Sequence, residues 1–132
     1  MKRHPQLQDL SREHHTALQL ALRAKRAALS GDPAQVAASA AACVAAFAAE
    51  LDPHFLVEER SLLPMLSQSG ETALVRRTEH EHGELRDLIG QLRQPAAASL
   101  LRFAELLTAH VRFEERELFE TLETCLERAG KD

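Results

Sequence analysis

At 132 residues the chain has room for one hydrophobic core, which excludes a second independent domain of ordinary size, and residues 1–132 read as a single unit. Its 16 Lys plus Arg are scattered among 20 Asp plus Glu, giving a net charge of −4, so nucleic acid is not expected as a partner. Trp and Tyr are absent, which excludes aromatic cages and tyrosyl radical chemistry, while few Gly and Pro among abundant Ala, Leu, Glu and Arg predict an all-helical fold.

The opening "MKRHPQLQDL" has a basic start but no apolar stretch that would serve as a signal peptide. No apolar run is read as approaching the roughly 20 residues needed to span a bilayer, so the expectation is a cytoplasmic protein with no membrane partner. His4 with "MKR" reads as a frayed terminus.

A first helix is predicted over residues 6–29. "SGDP" then ends it and starts the next, with Asp32 as N-cap and Pro33 at the first helical position. The second helix covers residues 33–66 and begins as an Ala-rich rod, "AQVAASAAACVAAFAAEL", whose small side chains allow close approach of a neighbour, including a second copy in a homodimer. Pro53 is expected to kink or restart it just before His54. A loop around Gly70 leads to a third helix over residues 72–93, "QP" breaks it, and a fourth runs to about residue 128. Short connections imply antiparallel neighbours, hence an all-α, up-down-up-down antiparallel four-helix bundle. Cys43 and Cys125 lie far apart without CxxC spacing and read as reduced core residues.

Two segments stand out. "HFLVEERSLLPML" from residue 54 and "HVRFEERELFETL" from residue 110 repeat one arrangement at an offset of 56 residues, matching His54 with His110, Glu58 with Glu114 and Glu59 with Glu115. Each His/Glu pair is one helical turn apart and presents nitrogen and carboxylate in one direction. The stripes that carry them are otherwise apolar: Phe47, Leu51, His54, Glu58, Leu62 in the second helix and Phe103, Leu107, His110, Glu114, Leu118 in the fourth. In the third helix the face Val75, Thr78, His82, Leu85, Ile89, Leu92 puts His82 inside and His80 outside. The first helix is ambiguous, because His14 shares a face with Leu7, Leu10, Ala17 and Leu18 while His15 shares one with Leu18 and Leu22. The His-x-x-Leu form common to "HTAL" and "HGEL" favours His15.

A single inward imidazole is more often a hydrogen-bonded core residue than a ligand. Four of them with two carboxylates at the middle of one bundle are different, because unpaired charge there costs several kcal/mol. Dications remove that cost. Neutral imidazole plus carboxylate suits Fe, Mn or Zn, and no thiolate lies at matching positions. Two metals fit better than one, with Glu58 and Glu114 bridging and His15, His54, His82 and His110 capping the two ends.

With "EHHTAL", "HFLVEE", "EHGELR" and "HVRFEE" in this order and at these separations, nearly the whole chain resembles the hemerythrin-like proteins of the HHE cation-binding family. The resemblance implies a four-helix bundle with a non-haem di-iron centre, used in different members for reversible O2 binding, for sensing oxygen or iron, or for reacting with nitric oxide or peroxide. It makes His15, His54, His82 and His110 iron ligands and Glu58 and Glu114 bridging carboxylates. Oxygen-carrying members have a further histidine where this chain has Thr78, whose loss opens a coordination position or invites water or Glu79. Glu115, five residues after His110, and His14 are further candidate ligands.

The function read from the sequence is a non-haem di-iron protein that binds or reacts with a small ligand, O2, NO or peroxide. The alternative is an iron- or oxygen-responsive sensor or regulatory module without turnover, and enzymatic activity is left open. A ferritin-like carboxylate site would need Glu-x-x-His in two helices, and only "EHEH" at residues 79–82 supplies it. A metal-free interaction protein would have to account for an inward histidine on every helix.

Overall fold

The structure, a computed structural model, describes residues 3–131; Met1, Lys2 and Asp132 lie outside the described residues. It is all-helical, with four helices consistent with a four-helix bundle and no strand among the described residues. Helix α1 is Pro5–Ala28, α2 is Pro33–Gln68, α3 is Thr72–Gln91, and α4 spans 97–131.

Local chemistry sets the ends. The His4 imidazole accepts the Gln6 N–H at 3.1 Å and caps α1, Pro5 occupies its first turn, and Lys25 and Arg26 face its negative end. The reading of a frayed terminus therefore fails for Arg3 and His4: the Arg3 guanidinium bonds Glu120 at 2.9 Å, and the His4 N–H donates to Glu123 at 2.7 Å. Gly31, at φ 72°, makes the left-handed turn out of α1, and Asp32 accepts the Ala34 N–H at 2.9 Å to open α2 as read from the sequence. Gly70, at φ 85°, does the same between α2 and α3.

Helix α2 does not restart at Pro53. It runs through a wide π turn at Phe47–Leu51, where the Asp52 N–H reaches back to the Phe47 carbonyl, and Pro53 follows directly. Proline removes one backbone donor and crowds the preceding turn, and the widened segment absorbs that conflict. A second π turn, Glu58–Leu62, comes just before Pro64, and a third, Glu114–Leu118, lies in α4.

The expectation that no helix could match a membrane span in length and apolarity is corrected here. Helix α2 contains an 18-residue window of mean hydropathy 1.5, of which only 28% is buried. Alanine supplies that hydropathy, and large apolar side chains are few in the stretch.

Two apolar clusters fill the interior. One, rich in alanine, gathers Ala17, Ala21, Leu51, Phe55, Leu85, Leu107 and their neighbours. The other gathers Leu7, Leu10, Leu62, Leu66, Phe113, Leu118 and Phe119. Cys43 is buried in the first, whereas Cys125 only borders the second and is not the core residue expected. Along every helix the change from one cluster to the other falls at an ionisable belt: Leu10, His14, Ala17 in α1; Leu51, His54, Glu58, Leu62 in α2; Val75, His82, Leu85 in α3; Leu107, His110, Glu114, Leu118 in α4.

Candidate metal centre

Each inward stripe read from α2, α3 and α4 is buried, so His54, Glu58, His82, His110 and Glu114 meet in the interior with at most 4% exposure. For α1 the reading is corrected. His14 is the buried histidine, while His15 is exposed and lies 3.5 Å from Gln19. The inward stripe continues from Leu7, Leu10 and His14 through Ala17, Ala21 and Ala24, whereas the His-x-x-Leu form that favoured His15 rests on Leu18, which is only partly buried. Beyond His14 the buried face of α1 is made of alanines, so the motif shared with α3 did not mark the inward histidine.

The belt forms two sets that share both glutamates. His14, His54, Glu58 and Glu114 have ligand atoms within 4.8 Å of one another, as do Glu58, His82, His110 and Glu114. The Nε2 atoms of all four histidines face the carboxylates: His14 to Glu114 at 2.7 Å, His82 to Glu58 at 3.1 Å, His110 to Glu114 at 3.1 Å and His54 to Glu58 at 3.4 Å. Only the first is a hydrogen bond. His54 Nε2, His82 Nε2, His110 Nε2, both Glu58 oxygens and Glu114 Oε2 are buried without a hydrogen-bond partner. Polar atoms in that condition are rare and costly, and six converging on one place fit a cation pair.

The far side of every ring is held as well. Nδ1 of His14 bonds Glu115 at 2.6 Å, Nδ1 of His54 bonds Glu13 at 2.8 Å, Nδ1 of His82 bonds Glu59 at 2.7 Å and Nδ1 of His110 bonds Glu81 at 2.6 Å. A carboxylate on Nδ1 holds the proton there, leaves the Nε2 lone pair for a metal, and fixes the ring plane. Phe55 stacks on His82 with centroids 3.9 Å apart, and Phe119 stacks on His14 at 5.0 Å.

Sequence reasoning missed Glu13, Glu59 and Glu81 as members of this arrangement. It also set Glu115 and Glu79 among further candidate ligands. Glu115 stands behind His14, bonded to Ser11 at 2.9 Å, and Glu79 is exposed and outside both sets. Thr78 is fully buried, but its hydroxyl donates to the Leu74 carbonyl at 2.8 Å within its own helix. His80 faces outward to Glu84 at 2.8 Å, as read.

The π turns were also missed. Glu58 and Glu114 each begin one, so each carboxylate sits where the helix carries an extra residue. That residue shifts the helical phase and keeps two adjacent side chains inward, Leu62 with Leu63 and Leu118 with Phe119. The doublets "LL" and "LF" after each "EER" were the available signal.

Without a metal, protons hold the belt together. Burial opposes charge on His54, but the Glu114 and Glu58 carboxylates overcome it and push its pKa up to about 11. The same balance raises His82 to about 9, and His110, beside Glu114, to about 10. Burial and then the neighbouring Glu114 charge raise the Glu58 carboxyl, while His110, His14 and His54 overcome burial to hold Glu114 well below the ordinary carboxylate range.

Comparisons with curated proteins and with solved structures gave no match. The family model described as hemerythrin HHE cation binding domain matches residues 6–122, a stretch that contains all four inward histidines and both central glutamates. The chain belongs to the hemerythrin HHE cation-binding domain family.

Proposed function

We propose that the protein holds two iron ions and uses them to bind or react with a small ligand, O2, nitric oxide or peroxide. The observation that carries this is the pair of buried His2Glu2 sets sharing Glu58 and Glu114, with six partnerless polar atoms between them. His14 and His54 would hold one ion, His82 and His110 the other, and the two glutamates would bridge. Mn or Zn would satisfy the same donors, but iron adds redox chemistry at positions the protein leaves open.

The residues of this chain do the rest. Glu13, Glu59, Glu81 and Glu115 keep protons on Nδ1 and aim Nε2 inward, and the two apolar clusters exclude water from either side. A void of about 10 Å3 beside His14, His54, Leu107 and Val111, about the room of a single water, is in keeping with a small ligand. Thr78 carries no imidazole and its hydroxyl bonds its own backbone, so α3 would add no donor beyond His82.

The up-down-up-down course is supported by bonds that run in opposite order along α1 and α4, His4 with Glu123 and His14 with Glu114, as antiparallel helices require. Free Cys43 and Cys125 support a reducing, cytoplasmic setting. That α2 supplies His54 and Glu58 to the interior supports a place in the bundle and not in a bilayer. Its exposed alanines would suit a homodimer.

Metal analysis with an ultraviolet-visible spectrum after aerobic iron loading tests the reading. About two irons per chain with oxo-bridged ferric bands are expected. Less than one iron per chain and no such bands would overturn it.

A further inference from the structure

The four carboxylates behind the histidines are not equally secured. Glu59 is gripped by Arg86 at 2.8 and 3.1 Å, and Arg86 is itself held by Asp52 at 3.0 Å. Glu81 is bonded by Arg77 at 3.0 Å, whose guanidinium lies 3.9 Å over the Phe113 ring. Glu115 has Ser11 at 2.9 Å and Arg3 at 3.4 Å. Glu13 has no such anchor among the described residues: its one partner is His54, and its side chain is 50% exposed.

The unsecured corner is also the open one. A cavity of about 350 Å3 lies between α1 and α2, walled by Thr16, Leu20, Arg23, Ala46 and Glu50, with Glu13 and His54 among its lining. The small void beside the centre shares Glu13, Ala17, Leu51 and His54 with it, so one set of side chains separates the two spaces. Three other cavities touch none of the six inward His and Glu residues.

Resting on the metal-centre reading above, we infer that this vestibule is the entry port to the buried site and that Glu13 is its latch. In the latched state Glu13 holds the His54 ring across the passage. When Glu13 swings to solvent, the ring is free to turn about its side-chain bonds, and a divalent cation or a small ligand passes between Ala17 and Leu51. The other three histidines have anchored carboxylates and stay fixed while His54 moves. Glu13 is thus a positioning residue that governs rate of access, a role that its neighbours' anchoring denies to Glu59, Glu81 and Glu115.

The test is stopped-flow uptake of cobalt(II), followed by its visible absorption, into the metal-free protein. Ala46→Trp fills the vestibule, and Ala41→Trp, on an exposed part of the same helix, is the control. The plug should slow uptake about tenfold or more with the final cobalt content unchanged, the control should load at the native rate, and Glu13→Ala should load several-fold faster. A second measurement needs no bulky variant. Diethylpyrocarbonate modification of the metal-free protein, mapped by mass spectrometry, should be faster at His54 in Glu13→Ala than in the native chain, with the rates at His82 and His110 unchanged.

Native-rate uptake by Ala46→Trp, or an unchanged rate of His54 modification in Glu13→Ala, would overturn the port while bound cobalt left the metal centre standing. A native chain that takes up no cobalt would overturn the metal centre itself, and the port with it.

Discussion

Glu59→Ala probes the claim that the outer carboxylates prepare the imidazoles. The substitution removes the 2.7 Å bond to His82 Nδ1 and leaves Arg86 with Asp52 alone. The His82 ring keeps its stacking on Phe55 at 3.9 Å, so it stays in place while its tautomer is no longer fixed. Loss of such an outer partner costs about 10- to 100-fold in metal affinity. That corresponds to about 1.4–2.8 kcal/mol. Glu59→Gln, whose carbonyl still accepts the Nδ1 proton without charge, should recover part of the loss. Competition of cobalt(II) between the protein and a chelator measures the affinities. Glu79→Ala is the control, since Glu79 is exposed and lies outside both ligand sets. Native affinity in Glu59→Ala, or an equal loss in Glu79→Ala, would refute the idea that Nδ1 bonding prepares the site.

His14→Ala should lower the metal content from two ions to one per chain while His15→Ala keeps both, as metal analysis would report, and the opposite pattern would restore the sequence reading of α1. In the metal-free protein, the raised histidine pKa values contribute stability that is fully present below the ordinary value of 6.5 and is lost as pH rises through about 9 for His82 and about 10 for His110. Its melting temperature should therefore fall between about pH 6.5 and pH 9, and the metal-loaded protein should not follow, because the metal replaces the protons; a rising melting temperature for the metal-free form would contradict this. Phe55→Ala, at a side chain 2% exposed and stacked on His82, should cost about 3–5 kcal/mol in urea unfolding of the metal-free protein, and a cost under about 1 kcal/mol would show that the stack is not a packing contact.

The helices and three of the four inward histidines were legible in the sequence because they obey local rules. Proline and aspartate open α2, glycines end α1 and α2, and a period of three to four residues points His54, His82 and His110 the same way as their apolar neighbours. The repeat at 56 residues was enough to pair Glu58 with Glu114.

Other features depend on which helix lies against which, and local pattern carries no record of that. His14 faces inward because its stripe, Leu7, Leu10, Ala17 and Ala21, is the one that packs into the bundle, which the His-x-x-Leu form shared with α3 does not record. Glu13, Glu59 and Glu81 look like ordinary solvated charges until the histidine each one bonds arrives from another helix, 41, 23 and 29 residues away in sequence. The π turns at Glu58 and Glu114 arise where an extra residue keeps both a central glutamate and the apolar stripe beyond it facing one interior. Periodicity along one helix could say that a group turns inward; only the packed bundle decided what it meets there, and that the corner beside Glu13 was left open.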